Sequence, residues 1–78
     1  MIFLAISPAG LAMALRSAAA DDAIWCGADA ITEVEFQAHG DARLTRFDYD
    51  VGVHELDDAL DTIREHHPGQ TIWVEAAA

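Results

Sequence analysis

An unbroken apolar run, residues 2–6, opens the chain. A continuous run of this kind is typical of a strand buried on both faces. Ser7 and Pro8 follow as a helix N-cap and a proline at the first helical position. Apolar residues then recur at helical spacing, at Leu11, Ala14, Leu15 and Ala18. The pattern predicts a buried strand over 2–6 and an amphipathic helix that ends before Asp21.

The middle of the chain alternates between apolar and polar positions. In residues 32–38, one predicted strand face carries Thr32, Val34, Phe36 and Ala38. The alternate positions are Glu33, Glu35 and Gln37. A second run, 44–51, places Thr45, Phe47, Tyr49 and Val51 on one face. A turn with a glycine at 39–41 separates the two runs. The sequence therefore predicts two antiparallel strands joined as a β-hairpin.

The last third of the chain predicts one helix and one strand. Apolar residues recur at helical spacing within 53–67, and Pro68-Gly69 ends that segment. Residues 70–75 form the predicted last strand, with Ile72 and Val74 on one face and Trp73 on the other. Residues 76–78 are expected to fray.

The predicted order β-α-β-β-α-β indicates an α+β, ferredoxin-like βαββαβ sandwich. In it, a four-stranded antiparallel sheet carries two helices on one face, and residues 1–78 form a single domain. Residues 23–31 fit a strand, a helical turn or a loop. The alternative is a five-stranded α/β variant with an extra strand at 23–26.

Charge limits the partners of the domain. Fourteen acidic residues stand against four arginines, so the net charge is −10. This charge repels phosphate backbones and anionic membrane surfaces, which argues against nucleic-acid and membrane partners. No run is long and apolar enough to span a membrane. The absence of lysine and asparagine, with many alanines, is typical of a GC-rich bacterial genome.

The expected compartment is the cytoplasm. A single cysteine, Cys26, requires no oxidising environment. The N-terminal apolar run imitates a secretion signal, but no basic residue precedes it and Pro8-Ala9-Gly10 interrupts it.

Candidate metal ligands are the four histidines and the cysteine: His39, His54, His66, His67 and Cys26. His66 and His67 are adjacent in a predicted helix and point about 100° apart, so they cannot chelate one ion together. His54 and Asp58 share a helix face and form at most a weak site. The loop after the first strand has no cysteine, which excludes a thiolate metal carrier. No metal, cofactor or catalytic site is therefore expected.

Acidic pairs are the remaining candidates for chemistry. Glu33/Glu35 and Asp48/Asp50 are predicted on the open face of the sheet, where facing carboxylates could hold a cation or share a proton. Arg46 lies among them and is expected to pair across the strands. Their simplest interpretation is a solvated acidic face. Cys26 is expected to be a small, buried hydrophobic residue.

Trp73 is the one predicted interaction residue, because the alternation directs it to the helix-free face of the sheet. A two-fold dimer would cover it. The leading hypothesis is therefore a non-enzymatic protein-interaction or regulatory module that forms a homodimer or binds a protein partner. One alternative is a small-molecule or cation-binding domain. The other is a small dimeric enzyme with a cavity between helices and sheet.

Overall fold

A computed structural model describes residues 1–75, and the predicted fraying of 76–78 lies outside the described residues. Strands and helices alternate along the chain. The strands are β1 (Ile2–Ala5), β2 (Ala23–Cys26), β3 (Leu44–Arg46) and β4 (Ile72–Val74). The helices are α1 (Pro8–Ser17), α2 (Glu33–His39) and α3 (Leu56–His66).

The four strands form one parallel sheet in the order β3-β2-β1-β4. Phe3 in β1 lies between Ile24 of β2 and Trp73 of β4. The predicted antiparallel, ferredoxin-like sandwich is therefore wrong. Each of the first three strands is followed by a helix that returns the chain to the starting edge of the sheet, so the next strand runs in the same direction.

The main error lies in residues 32–38, which form helix α2 instead of a strand. The Thr32 hydroxyl accepts a hydrogen bond from the Glu35 N–H at 3.1 Å and donates one to the Glu35 carboxylate at 3.1 Å. These bonds fix the first turn of the helix. At the other end, Gly40 adopts a left-handed conformation with φ of 68°. Val34 is 79% exposed, so the apparent alternation does not mark a buried face.

Residues 23–26 form strand β2, the position named in the alternative fold. Ile24, Trp25 and Cys26 are all buried, because β2 lies inside the sheet with neighbours on both edges. The five-stranded count was nevertheless wrong, since 32–38 is not a strand. The predicted hairpin is wrong for the same reason.

Several predicted elements are confirmed with shorter bounds. Strand β1 and helix α1 lie where expected, and the Ser7 side chain accepts a hydrogen bond from the Gly10 N–H, as an N-cap does. Helix α3 begins at Leu56 instead of 53, and β4 covers Ile72–Val74 instead of 70–75. Strand β3 ends at Arg46, and a connection over 47–55 leads to α3.

Helices cover both faces of the sheet. On one face, Leu11 and Ala14 of α1 join the buried cluster that includes Phe3 and Ile24, and Phe36 of α2 packs against it. On the other, Ala59 and Ile63 of α3 join the cluster of Ile2, Leu4, Trp25, Phe47 and Val51. The helix-free face predicted for Trp73 does not exist. None of the helices within residues 1–75 has the length and apolarity needed to cross a membrane.

Candidate functional site

The carboxyl ends of β1 and β4 mark the point where the direction of the chain connections reverses. From β1 the chain proceeds outward to β2 and then β3, and it returns to the opposite side of β1 to form β4. Helices on opposite faces of the sheet make these connections, so a crevice lies between the carboxyl ends of β1 and β4. In open α/β sheets, ligands bind in the crevice at this switch point.

A cavity of about 190 Å³ lies at this edge of the sheet. Ile6 follows β1 and Glu75 follows β4, so each strand contributes the residue after its carboxyl end. The connection from β3 and the first residue of α3 complete the wall, through Val51, Gly52, Val53 and Leu56. The wall is apolar except for the Glu75 carboxylate.

The Glu75 carboxylate forms hydrogen bonds with residues at the N-terminus of α1. Its Oε1 accepts hydrogen bonds from the Ile6 N–H at 2.6 Å and the Ser7 N–H at 2.9 Å. Its Oε2 accepts one from the Ser7 hydroxyl at 2.5 Å. Backbone N–H groups at a helix start carry partial positive charge and lack partners within the helix. Glu75 therefore satisfies donors that would otherwise attract an external anion.

Gly10 gives the Glu75 carboxylate its space. A Cβ atom at position 10 would lie 1.8 Å from Oε1 of Glu75 and 2.2 Å from its Cδ. Burial alone would raise the pKa of Glu75, but the hydrogen bonds from Ser7 and Ile6 outweigh it and the pKa lies below its ordinary value. The cavity thus contains an ionised carboxylate at neutral pH.

The connection between β3 and α3 is strongly acidic. No lysine or arginine occurs between Arg46 and Arg64, and six acids do: Asp48, Asp50, Glu55, Asp57, Asp58 and Asp61. Burial raises the pKa of Tyr49 in this connection, and the charges of Asp58, Asp48 and Glu55 raise it further. In the part of the chain that the structure describes, neither flanking arginine forms an ion pair with Asp48, Asp50 or Glu55. Arg46 donates to the carbonyls of Ile31 and Ala28, and Arg64 pairs with Asp61.

The acidic pairs predicted on one sheet face are not assembled there. Glu33 and Glu35 lie in the first turn of α2, and Asp48 and Asp50 lie in the connection after β3. The predicted cross-strand pairing of Arg46 is wrong, because its guanidinium binds backbone carbonyls. Both corrections follow from the loss of the hairpin.

None of the histidines is among the residues that line the cavity. His66 and His67, at the end of α3, contact Trp25 with ring centroids 5.3 and 6.1 Å away. The Trp25 indole N–H donates to Nε2 of His67 at 3.3 Å. His54 is exposed in the turn before α3. Within residues 1–75, no three His, Cys, Asp or Glu side chains converge as metal ligands would.

Cys26 is confirmed as a buried side chain, with no exposed surface. Burial raises the pKa of the Cys26 thiol to about 11. Trp73 is half-buried on edge strand β4, and its ring packs against Phe3 with centroids 5.6 Å apart. It does not line the cavity.

Sequence reasoning missed the cavity and Glu75. A usable signal was present: Ser7 and Glu75 are the first polar residues after two apolar strands. In a parallel sheet such positions meet at one edge. The antiparallel interpretation concealed that relationship. Comparison of the chain with protein-family models, curated proteins and solved structures finds no match.

Proposed function

We propose that this domain binds a small, largely apolar molecule in the cavity between the ends of β1 and β4, without transforming it. The observation that carries the proposal is the coincidence of cavity and switch point. A preformed apolar concavity with one fixed polar group is the usual form of a small-molecule site. Besides Glu75, the described walls offer no ionisable side chain, which favours binding over catalysis.

The volume sets the size of the ligand. Benzene binds in an apolar cavity of roughly 150 Å³. A cavity of about 190 Å³ therefore suits a ring with a short substituent. Nucleotides are too large for it.

The test uses two exposed valines. Val53 lines the cavity and is 84% exposed, whereas Val34 lies on α2 and is 79% exposed. Backbone amide NMR spectra should shift at cavity residues when benzyl alcohol is added. Val53→Phe should weaken this binding by roughly tenfold or more, about 1.4 kcal/mol. Val34→Phe, the matched control, should leave it unchanged. Shifts outside the cavity, or none in the wild type, would refute the proposal.

Strand β4 supports a second candidate function, a homodimeric interaction module. Ile72, Trp73 and Val74 are all only half-buried, and β4 forms an edge of the sheet. No acidic residue, lysine or arginine occurs from His66 to Val74. The opposite edge, β3, is flanked by the Asp41–Arg43 ion pair at 2.8 Å. An uncharged open edge is a template for strand pairing, and a second copy meets least repulsion there.

Sedimentation equilibrium at tens of micromolar protein tests this candidate. Trp73→Ala should weaken self-association, whereas Tyr49→Ala, a half-buried aromatic outside β4, should not. A monomeric wild type under these conditions would exclude the homodimer.

A further inference from the structure

The charge and free hydrogen-bonding capacity of Glu75 define the ligand class. We propose that the cavity selects a compact primary amine, an ammonium group on an apolar body, over phosphates and carboxylates. This inference rests on the proposed ligand-binding function. It assigns the cavity a recognition group, Glu75, and a preferred sign of charge.

Anions are excluded because the backbone N–H groups at the start of α1, which would bind them, already donate hydrogen bonds to Glu75. Oε1 of Glu75 accepts hydrogen bonds from the N–H groups of Ile6 and Ser7, at 2.6 and 2.9 Å. A phosphate approaching the start of α1 would therefore meet a carboxylate instead of free N–H groups. Gly10 is covered by the same carboxylate, so no second anion fits beside the helix.

One acceptor position remains for a ligand. A carboxylate has about four lone-pair positions. The described contacts use three of them, two on Oε1 and one on Oε2. An ammonium group at Oε2 would complete the set with a charge-assisted hydrogen bond, which is stronger than a neutral one.

The surroundings reinforce the preference for a cation. Val51, Gly52 and Val53 belong to the acidic connection between β3 and α3, in which Glu55 lies close to Gly52. Burial raises the pKa of Tyr49, and the nearby carboxylates of Asp58, Asp48 and Glu55 raise it further, as expected for a side chain within an acidic connection. A site bordered by charge of one sign concentrates ligands of the opposite sign.

The apolar wall defines the rest of the ligand. Ile6, Val51, Val53 and Leu56 offer hydrocarbon surface and no hydrogen-bonding side chain. A phenyl ring with one methylene and an ammonium group, as in benzylamine, matches both the wall and the volume. Benzyl alcohol and benzoate have nearly the same shape with neutral and negative polar groups.

The experiment titrates the full chain near pH 7 with benzylamine, benzyl alcohol, benzoate and inorganic phosphate, monitored by backbone amide NMR. Benzylamine should bind at least tenfold more tightly than benzyl alcohol, with shifts at Ile6, Val51–Val53, Leu56 and Glu75. Benzoate and phosphate should produce no cavity shifts. Glu75→Gln should reduce benzylamine to the affinity of benzyl alcohol. Glu65→Gln, which removes an exposed α3 charge outside the cavity, should preserve the preference.

Each of the other possible results refutes a specific part of the two proposals. Equal binding of benzylamine and benzyl alcohol refutes amine selection and leaves the ligand-binding function standing. Cavity binding of benzoate or phosphate also refutes it. A preference that survives Glu75→Gln refutes the role of Glu75. Failure of every probe to bind refutes both proposals. If Glu75→Gln does not fold, the wild-type comparison of amine with alcohol still decides.

Discussion

Gly10 and Glu75 should be strongly coupled in stability, because a methyl group at position 10 and the Glu75 carboxylate compete for the same space. In Gly10→Ala the added Cβ would lie 1.8 Å from Oε1 of Glu75. The carboxylate is the end of a flexible side chain, so it can move away. The cost of the substitution is therefore the loss of the Glu75 hydrogen bonds, not a rigid collision.

The magnitude follows from those bonds. Glu75 accepts three, from the N–H groups of Ile6 and Ser7 and from the Ser7 hydroxyl. A hydrogen bond to a charged group contributes about 1.5–3 kcal/mol when buried. This site is half-exposed and water can replace part of each bond, so we expect a total of about 2 kcal/mol for Glu75→Ala. Alanine in place of glycine favours a helix by up to about 1 kcal/mol. Gly10→Ala should therefore destabilise the domain by about 1 kcal/mol.

The double variant separates the two effects. Without the Glu75 carboxylate, the methyl group at position 10 displaces nothing, and only the helix preference remains. Gly10→Ala should then stabilise the Glu75→Ala background by about 0.5–1 kcal/mol. The coupling energy of the double-mutant cycle is the difference between the two effects, about 2 kcal/mol.

Urea unfolding followed by circular dichroism gives the free energy of unfolding of the wild type, the two single variants and the double variant. A change of 1 kcal/mol corresponds to about 4–8 °C in Tm for a domain of this size, so melting curves check the result independently. If Gly10→Ala destabilises the Glu75→Ala background as much as the wild type, the contact between the two residues does not contribute as argued.

Three further predictions concern stability elsewhere in the fold. Burial raises the pKa of Cys26 from 9.0 to about 11, so its stabilising effect is complete below pH 9 and lost as pH rises toward 11; the free energy of unfolding in urea should fall there by up to about 3 kcal/mol in the wild type and clearly less in Cys26→Ala. The hydrogen bonds and charge of Arg43 lower the pKa of Asp41 from 3.8 to about 2, so its contribution is present above pH 3.8 and lost as pH falls toward 2; acid unfolding of Asp41→Asn should have a shallower pH dependence, and an unchanged profile would contradict this. Thr32→Ala removes the N-cap of α2 and should cost about 1 kcal/mol, with faster hydrogen exchange in α2; unchanged exchange would show that the cap is dispensable.

Local signals were sufficient for β1, α1 and α3. Ser7-Pro8 marks the start of α1 because the serine side chain satisfies a free N–H group and the proline needs no partner. The apolar run of β1 is buried on both faces, as expected for an inner strand of a parallel sheet. These elements depend on neighbouring residues, which a sequence displays directly.

Helix α2 shows where local pattern fails. It has seven residues, about two turns, and Phe36 is its only apolar side chain packed against the described core. So short a helix has no repeated apolar stripe, and its alternation imitates a strand. The informative signal was Thr32 three residues before Glu35, the spacing of a capping box. Reading that segment as a helix, together with the strand at 23–26 from the alternative fold, changes the element order to β-α-β-α-β-α-β, which favours a parallel sheet.

The candidate site depends on strand direction and so could not be derived from local pattern. Ser7 follows β1 and Glu75 follows β4, and these strands are paired neighbours with Leu4 opposite Val74. If the two strands were antiparallel, the residues after them would lie at opposite ends of the sheet, roughly 10–14 Å apart over four residues. Gly10 and Glu75 could then have no coupling in stability. The double-mutant cycle therefore tests the parallel topology as well as the contact, because only the parallel arrangement brings the last acid of the described chain to the start of its first helix.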